Sequence, residues 1–98
     1  MGERELVTIL CEPTLEEKVL DVLRRAGASG FSTMRSEGDS TRAWSLEVME
    51  GANVRIETVV SEETAAKIVQ EISKRFFAHR SLVVWQTTVR VQRPERFH

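Results

Sequence analysis

The sequence predicts an α+β domain of ferredoxin-like type, β-α-β-β-α-β, with one four-stranded antiparallel sheet and both helices on one of its faces. Two amphipathic helical patterns, four strand-like runs of which three are rich in branched residues, and an order that brackets each helix between strands carry that expectation. With 98 residues and no internal repeat, the chain is read as a single domain over 1–98.

Leu6 to Cys11 is a run of mostly branched apolar residues stopped by Pro13, which reads as a strand buried on both faces. Thr14-Leu15-Glu16-Glu17 has the form of a capping box, the Thr14 hydroxyl accepting from the Glu17 N–H while the Glu17 carboxylate reaches back. The helix that follows has apolar positions at Leu15, Val19, Val22, Leu23 and Ala26, with Arg24 and Arg25 in its last turn and Gly27 to end it. Gly30 to Arg35 is a weaker strand, leading into the polar turn Ser36 to Thr41. In the next stretch Trp44, Leu46 and Val48 alternate with Ser45 and Glu47, a pattern that fits either a strand extension or a loop with apolar teeth.

Val54 to Val60 is a strand rich in β-branched residues, and Ser61-Glu62-Glu63 caps a second helix. That helix carries the stripe Ala65, Ile68, Val69, Ile72, Phe76 and the i,i+4 pairs Glu63–Lys67 and Glu71–Arg75. Leu82 to Gln92 reads as a long strand, apolar at Val83, Trp85, Val89 and Val91 and more polar at Gln86, Thr88, Arg90 and Gln92. Apolar residues on both faces of the first and third strands predict that the sheet face away from the helices is partly apolar. Self-association is expected to cover it.

Composition excludes several function classes. Hydrophobic residues at 41% and charged residues at 30% suit neither a disordered chain nor a membrane span. A net charge of −1 argues against nonspecific nucleic-acid binding, and the first and third strands lack the stacking aromatics of an RNA-recognition module. One cysteine, Cys11, excludes an internal disulfide, and the absence of an export signal in the opening residues leads us to expect a cytoplasmic protein. Cys11, His79 and His98 are too scattered to form a metal motif and read as a core residue, a loop residue and a frayed terminus. No nucleophile, base and orienting acid share a local signature, so no catalytic residues and no enzyme are expected.

The stretch from Gly27 to Arg42 is chemically the most informative. Gly38 with the hydroxyls of Ser40 and Thr41 and the guanidinium of Arg42 offers backbone N–H groups, O–H donors and a bidentate cation, a set suited to phosphate or carboxylate. A polar turn with a surface arginine is the plainer reading of the same residues.

Five stretches extend this reading to the whole chain: Gly27-Ala28-Ser29-Gly30-Phe31-Ser32, Gly38-Asp39-Ser40-Thr41-Arg42, Ala52-Asn53-Val54-Arg55-Ile56-Glu57, Arg75-Phe76-Phe77, and Arg90 to Phe97. Through them the sequence resembles PII-type signalling proteins, and most closely the PII-like group associated with bicarbonate transporters and carboxysomes. The resemblance implies a homotrimer with an adenine-nucleotide site in each cleft between subunits, and a flexible loop, the T-loop, that contacts a partner. It places Ser32 beside the adenine and Val59 in its pocket, with Gly38, Ser40, Thr41 and Arg42 on the phosphates. The turn His79-Arg80-Ser81 falls where the family has its second phosphate-binding loop, but the glycine-rich, lysine-bearing form is missing and Leu82 stands where the transporter-associated group tends to have glycine. Arg80 and Arg90 are the cations at hand to compensate. The loop 37–52 is short, and with no tyrosine in the chain uridylylation is excluded. The C-terminal cysteine pair of some transporter-associated members is also absent.

The expected function is that of a nonenzymatic regulator that binds AMP or ADP, with bicarbonate as a candidate second anion and no cofactor or metal. It would act on a transporter or carboxysome-linked partner through Trp44, Leu46, Val48 and Met49, without inserting in the membrane. The rival reading from another class is a structural or metal-handling trimer of the divalent-cation-tolerance type.

Overall fold

The computed structural model describes residues 1–35, 54–79 and 81–98. The expectations that fall on 36–53 and on Arg80 lie outside the described residues. The element order is β1 (Gly2–Cys11), a 3-10 turn (Pro13–Leu15), α1 (Glu16–Ala26), β2 (Ser32–Arg35), β3 (Val54–Val60), α2 (Glu62–Arg75), β4 (Val83–Val91) and a closing 3-10 turn (Pro94–Arg96). The four strands form one sheet in the order β2-β3-β1-β4, with every neighbouring pair antiparallel. This is the ferredoxin-like arrangement that the order of elements predicts.

One face of the sheet supplies Val7, Ile9 and Cys11 from β1 and Val54, Ile56 and Val60 from β3 to the core. Val19, Val22 and Leu23 of α1 and Ala65, Ile68 and Ile72 of α2 close over them, all at most 2% exposed. Leu20, absent from the helical pattern as read, is also buried. Fully burying side chains of this size contributes roughly 1.5–3 kcal/mol each, which is what holds the helices to the sheet.

Several local expectations need correction. The Thr14–Glu17 capping box does not form: Pro13 draws Thr14 into the 3-10 turn, Leu15 becomes the N-cap of α1, and no side chain caps it. Gly27 does end α1 in the left-handed region, at φ 94°. The Ser61 hydroxyl caps α2 by accepting from the Thr64 N–H at 3.2 Å. Glu63 and Lys67 pair at 3.8 Å, whereas Arg75 turns from Glu71 to lie over the Phe76 ring, 5.6 Å from its centroid. Strand β1 begins at Gly2 rather than Leu6, because its first residues pair with the far end of β4, Gly2 opposite Val91 and Arg4 opposite Val89. Strand β2 is shorter than 30–35, and β4 runs from Val83 to Val91 instead of from Leu82 to Gln92.

Strand β4 turns its more apolar row away from the helices. Val84 packs on the core, so Gln86 and Thr88 share the helix-bearing side, beyond the reach of the helices. Both are exposed and donate to the buried Glu5 carboxylate, at 2.8 and 2.7 Å. The apolar row Val83, Trp85, Val89 and Val91 therefore points to the open face with Leu6, Leu10 and Val59. That face is partly apolar, as the strand patterns predict.

Candidate functional site

Beside the open sheet face lies a cleft of about 430 Å³, built from four separate stretches of chain. Strands β1 and β3 supply Leu6 and Glu57, Thr58 and Val59; the turn into β2 supplies Ser29, Gly30, Phe31 and Ser32; the C-terminal segment adds Arg96 and Phe97. Register explains the grouping, since Leu6 lies opposite Val59 and Ser32 opposite Glu57.

Each wall is fixed by specific contacts. The Thr58 hydroxyl, on a residue only 3% exposed, donates to the Gly30 carbonyl and ties the turn to β3. The Arg24 guanidinium lies over the Phe31 ring, 5.5 Å from its centroid, and anchors the turn to the last helical turn of α1. On the open face, Glu57 Oε2 accepts from the Thr8 hydroxyl at 2.9 Å and from Arg55 Nη2 at 3.2 Å. Among the described residues, Glu57 Oε1 makes no hydrogen bond.

The C-terminal segment is strapped across the end of the sheet. Arg4 Nε donates to the Phe97 carbonyl at 2.8 Å, and the Ser29 hydroxyl donates to the Arg96 carbonyl at 3.1 Å while accepting from the His98 N–H at 3.3 Å. The Ser61 and Thr64 hydroxyls both donate to the His98 carbonyl, at 2.8 and 2.6 Å. His98 is therefore held at the start of α2 and is not the frayed end expected. Pro94 passes so close to Gly2 that a Cβ there would lie 2.7 Å from its ring. Only glycine admits this crossing without displacement.

The structure brings Ser32 and Val59 together in the cleft. Arg90 is exposed on the far edge strand, opposite Glu3, and does not reach the cleft of its own chain. Gly38, Ser40, Thr41, Arg42 and Arg80, with Trp44, Leu46, Val48 and Met49, lie outside the described residues. Ser29, Phe31, Glu57, Arg96 and Phe97 are the cleft residues that motif reading misses. Their separations along the chain carry no local signal, and the stretches containing them stand out in the sequence only through family likeness.

Cys11 is buried in the core, and burial, followed by the nearby Glu16 and Glu12 charges, pushes its thiol up from 9.0 to about 11. It is a packing residue with little thiolate at neutral pH. No group of His, Cys, Asp and Glu among the described residues is arranged to hold a metal ion. No described helix is long and apolar enough to cross a membrane.

Comparison with known proteins gives this geometry its context. No functionally curated protein matches the chain by sequence. A solved structure described as a PII-like signalling protein from Thermus thermophilus superposes with a TM-score of 0.79 at 32% identity, covering 98% of this chain and 96% of that one. The structure of CPII from Thiomonas intermedia, bound to ADP and bicarbonate, superposes at 0.77 with 25% identity, covering 99% and 96%. The B. subtilis GlnK–ATP complex, at 14% identity and 0.58 over 91% and 86%, shares the fold. The family model for nitrogen regulatory protein P-II matches residues 4–96, and with nearly the whole chain inside that match, this protein belongs to the P-II family.

Proposed function

We propose that the chain is a nonenzymatic signalling subunit that binds ADP or AMP in the Ser32–Val59 cleft and assembles as a homotrimer through its open sheet face. The cleft itself carries the reading. Leu6, Val59, Phe31 and Phe97 give it apolar walls for a flat purine, while Ser29, Ser32 and Glu57 Oε1 offer hydrogen bonds to amino and ribose hydroxyl groups. Arg96 brings a cation to the rim. Thiomonas CPII, solved with ADP and bicarbonate and also with ADP, AMP and bicarbonate, supports this choice of ligand.

The phosphates would extend toward Gly38, Ser40, Thr41 and Arg42, with Arg80 as a further cation. Arg90 would serve only from a neighbouring copy, since it stands on the opposite edge of its own sheet. Bicarbonate would be a second anionic ligand. An anion that drew Arg42 inward would favour one arrangement of the residues that follow it over another, which is the condition for a ligand to shift the population of a partner-binding form. The partner in this reading is an inorganic-carbon transporter or a carboxysome-linked protein, met from the cytoplasm through Trp44, Leu46, Val48 and Met49.

Calorimetric titration with ADP, AMP and ATP, with and without bicarbonate, tests the reading. Saturable binding of ADP or AMP at one site per chain is expected, strengthened by bicarbonate. Arg42→Ala should weaken it about 10- to 150-fold, the value of one charge-assisted contact. Absence of binding by every adenine nucleotide to the folded protein would contradict it.

A further inference from the structure

We propose that the groove between α1 and α2 is a second binding site, which takes an acidic segment of a partner protein with apolar side chains among its carboxylates. The groove has a volume of about 420 Å³, similar to that of the cleft, and opens on the outer surface of the helix layer. Arg25, Lys67, Lys74 and Arg75 line it with Glu71 as its one carboxylate, over a floor that includes Val22 and Ala26. Four cations thus converge on one groove in a chain whose net charge is −1. The last turns of both helices favour Arg25, Lys74 and Arg75 by their dipoles. That preference does not explain why all three open onto the same groove together with the mid-helix Lys67.

The intramolecular pairs leave the site incomplete. Arg25 is held by Asp21 at 3.0 Å and Lys67 by Glu63 at 3.8 Å, and neither carboxylate lines the groove. Among the described residues, Lys74, Arg75 and Glu71 form no ion pair, although Glu71 and Arg75 are one turn apart. A ligand carboxylate can therefore meet Lys74 and Arg75 without breaking a described ion pair, although Arg75 also lies over the Phe76 ring.

The apolar floor argues for a peptide over a free phosphate, which would gain nothing from Val22 and Ala26. Assembly through the open face leaves the groove uncovered, because the helices lie on the other side of the sheet. In a threefold assembly built on that face, the three grooves point in different directions and cannot lie together on one flat membrane. The groove is also separate from the cleft, as no residue lines both.

Fluorescence anisotropy of the full chain with a labelled peptide built on a repeated Glu-Glu-Leu unit tests the proposal, alongside an all-Glu peptide and phosphatidylglycerol vesicles. The Glu-Glu-Leu peptide should bind saturably at low salt, more tightly than the all-Glu peptide, and weaken as salt rises. Lys67→Glu combined with Lys74→Glu should weaken it by about tenfold or more, and Glu71→Gln should strengthen it severalfold. The affinity for ADP should be the same in all three proteins, which also reports that they are folded and keeps this site distinct from the cleft. Equal binding to the charge-reversed variant, competition by ADP, or no preference over the all-Glu peptide would overturn the proposal. Vesicle binding that is tighter than peptide binding and lost on charge reversal would overturn it in favour of a membrane surface.

Discussion

Phe31 shows how one side chain can join the scaffold to the cleft. Its ring is 38% exposed, lines the cleft, and is held from the α1 side by Arg24. Removing the ring should cost a bound purine about 1 kcal/mol of contact, so Phe31→Ala is expected to weaken ADP about fivefold in calorimetry. Arg24→Gln should give a smaller loss, because the ring stays but loses its anchor. Cys11 makes a different prediction through its pKa. With the folded thiol at about 11 against 9.0 for an ordinary thiol, its contribution to stability is fully present below pH 9 and lost as pH rises toward 11. The loss should reach about 2–3 kcal/mol in alkaline denaturation, and Cys11→Ala should lack it. Ser32 and Val59 were legible through family likeness; Glu57 and Phe97 were not, since only strand register and the C-terminal crossing bring them to the cleft.

At the level of elements, the two helix starts show where local rules succeed. Ser61 follows a strand directly and its hydroxyl meets the Thr64 N–H, while Thr14 follows Pro13 and is taken into a 3-10 turn. The same type of sequence signal thus failed at α1 because proline set the backbone before the cap could form. Ser61 also holds His98, so Ser61→Ala should destabilise the fold by about 1–2 kcal/mol in urea denaturation, whereas Thr14→Ala should cost less than about 0.5 kcal/mol. Gly27 has open space around its missing Cβ, so Gly27→Ala should cost only the backbone strain of a left-handed alanine, about 1 kcal/mol. A much larger loss would mean that packing, not conformation, selects glycine there.

Across the whole molecule, the distribution of apolar surface connects fold to assembly. The sequence pattern of β4 reveals two kinds of face without saying which one meets the helices. Only the packing of Val84 and the Glu5 contacts to Gln86 and Thr88 decide it. Val83, Trp85, Val89 and Val91 then join Leu6 and Val59 on a face that one chain leaves open. Light scattering should report three chain masses, and Trp85→Glu should shift the protein toward the monomer, because a carboxylate on that face cannot be buried unpaired. A stable wild-type monomer at micromolar concentration would contradict the assembly. The central claim, that the Ser32–Val59 cleft is the nucleotide site, is tested most directly by amide hydrogen exchange with and without saturating ADP. The account predicts protection that appears together at Ser29–Ser32, Glu57–Val59 and Arg96–Phe97, with no change along the outer faces of α1 and α2. Protection confined to the helices, or bound ADP that leaves all three cleft segments unchanged, would contradict it.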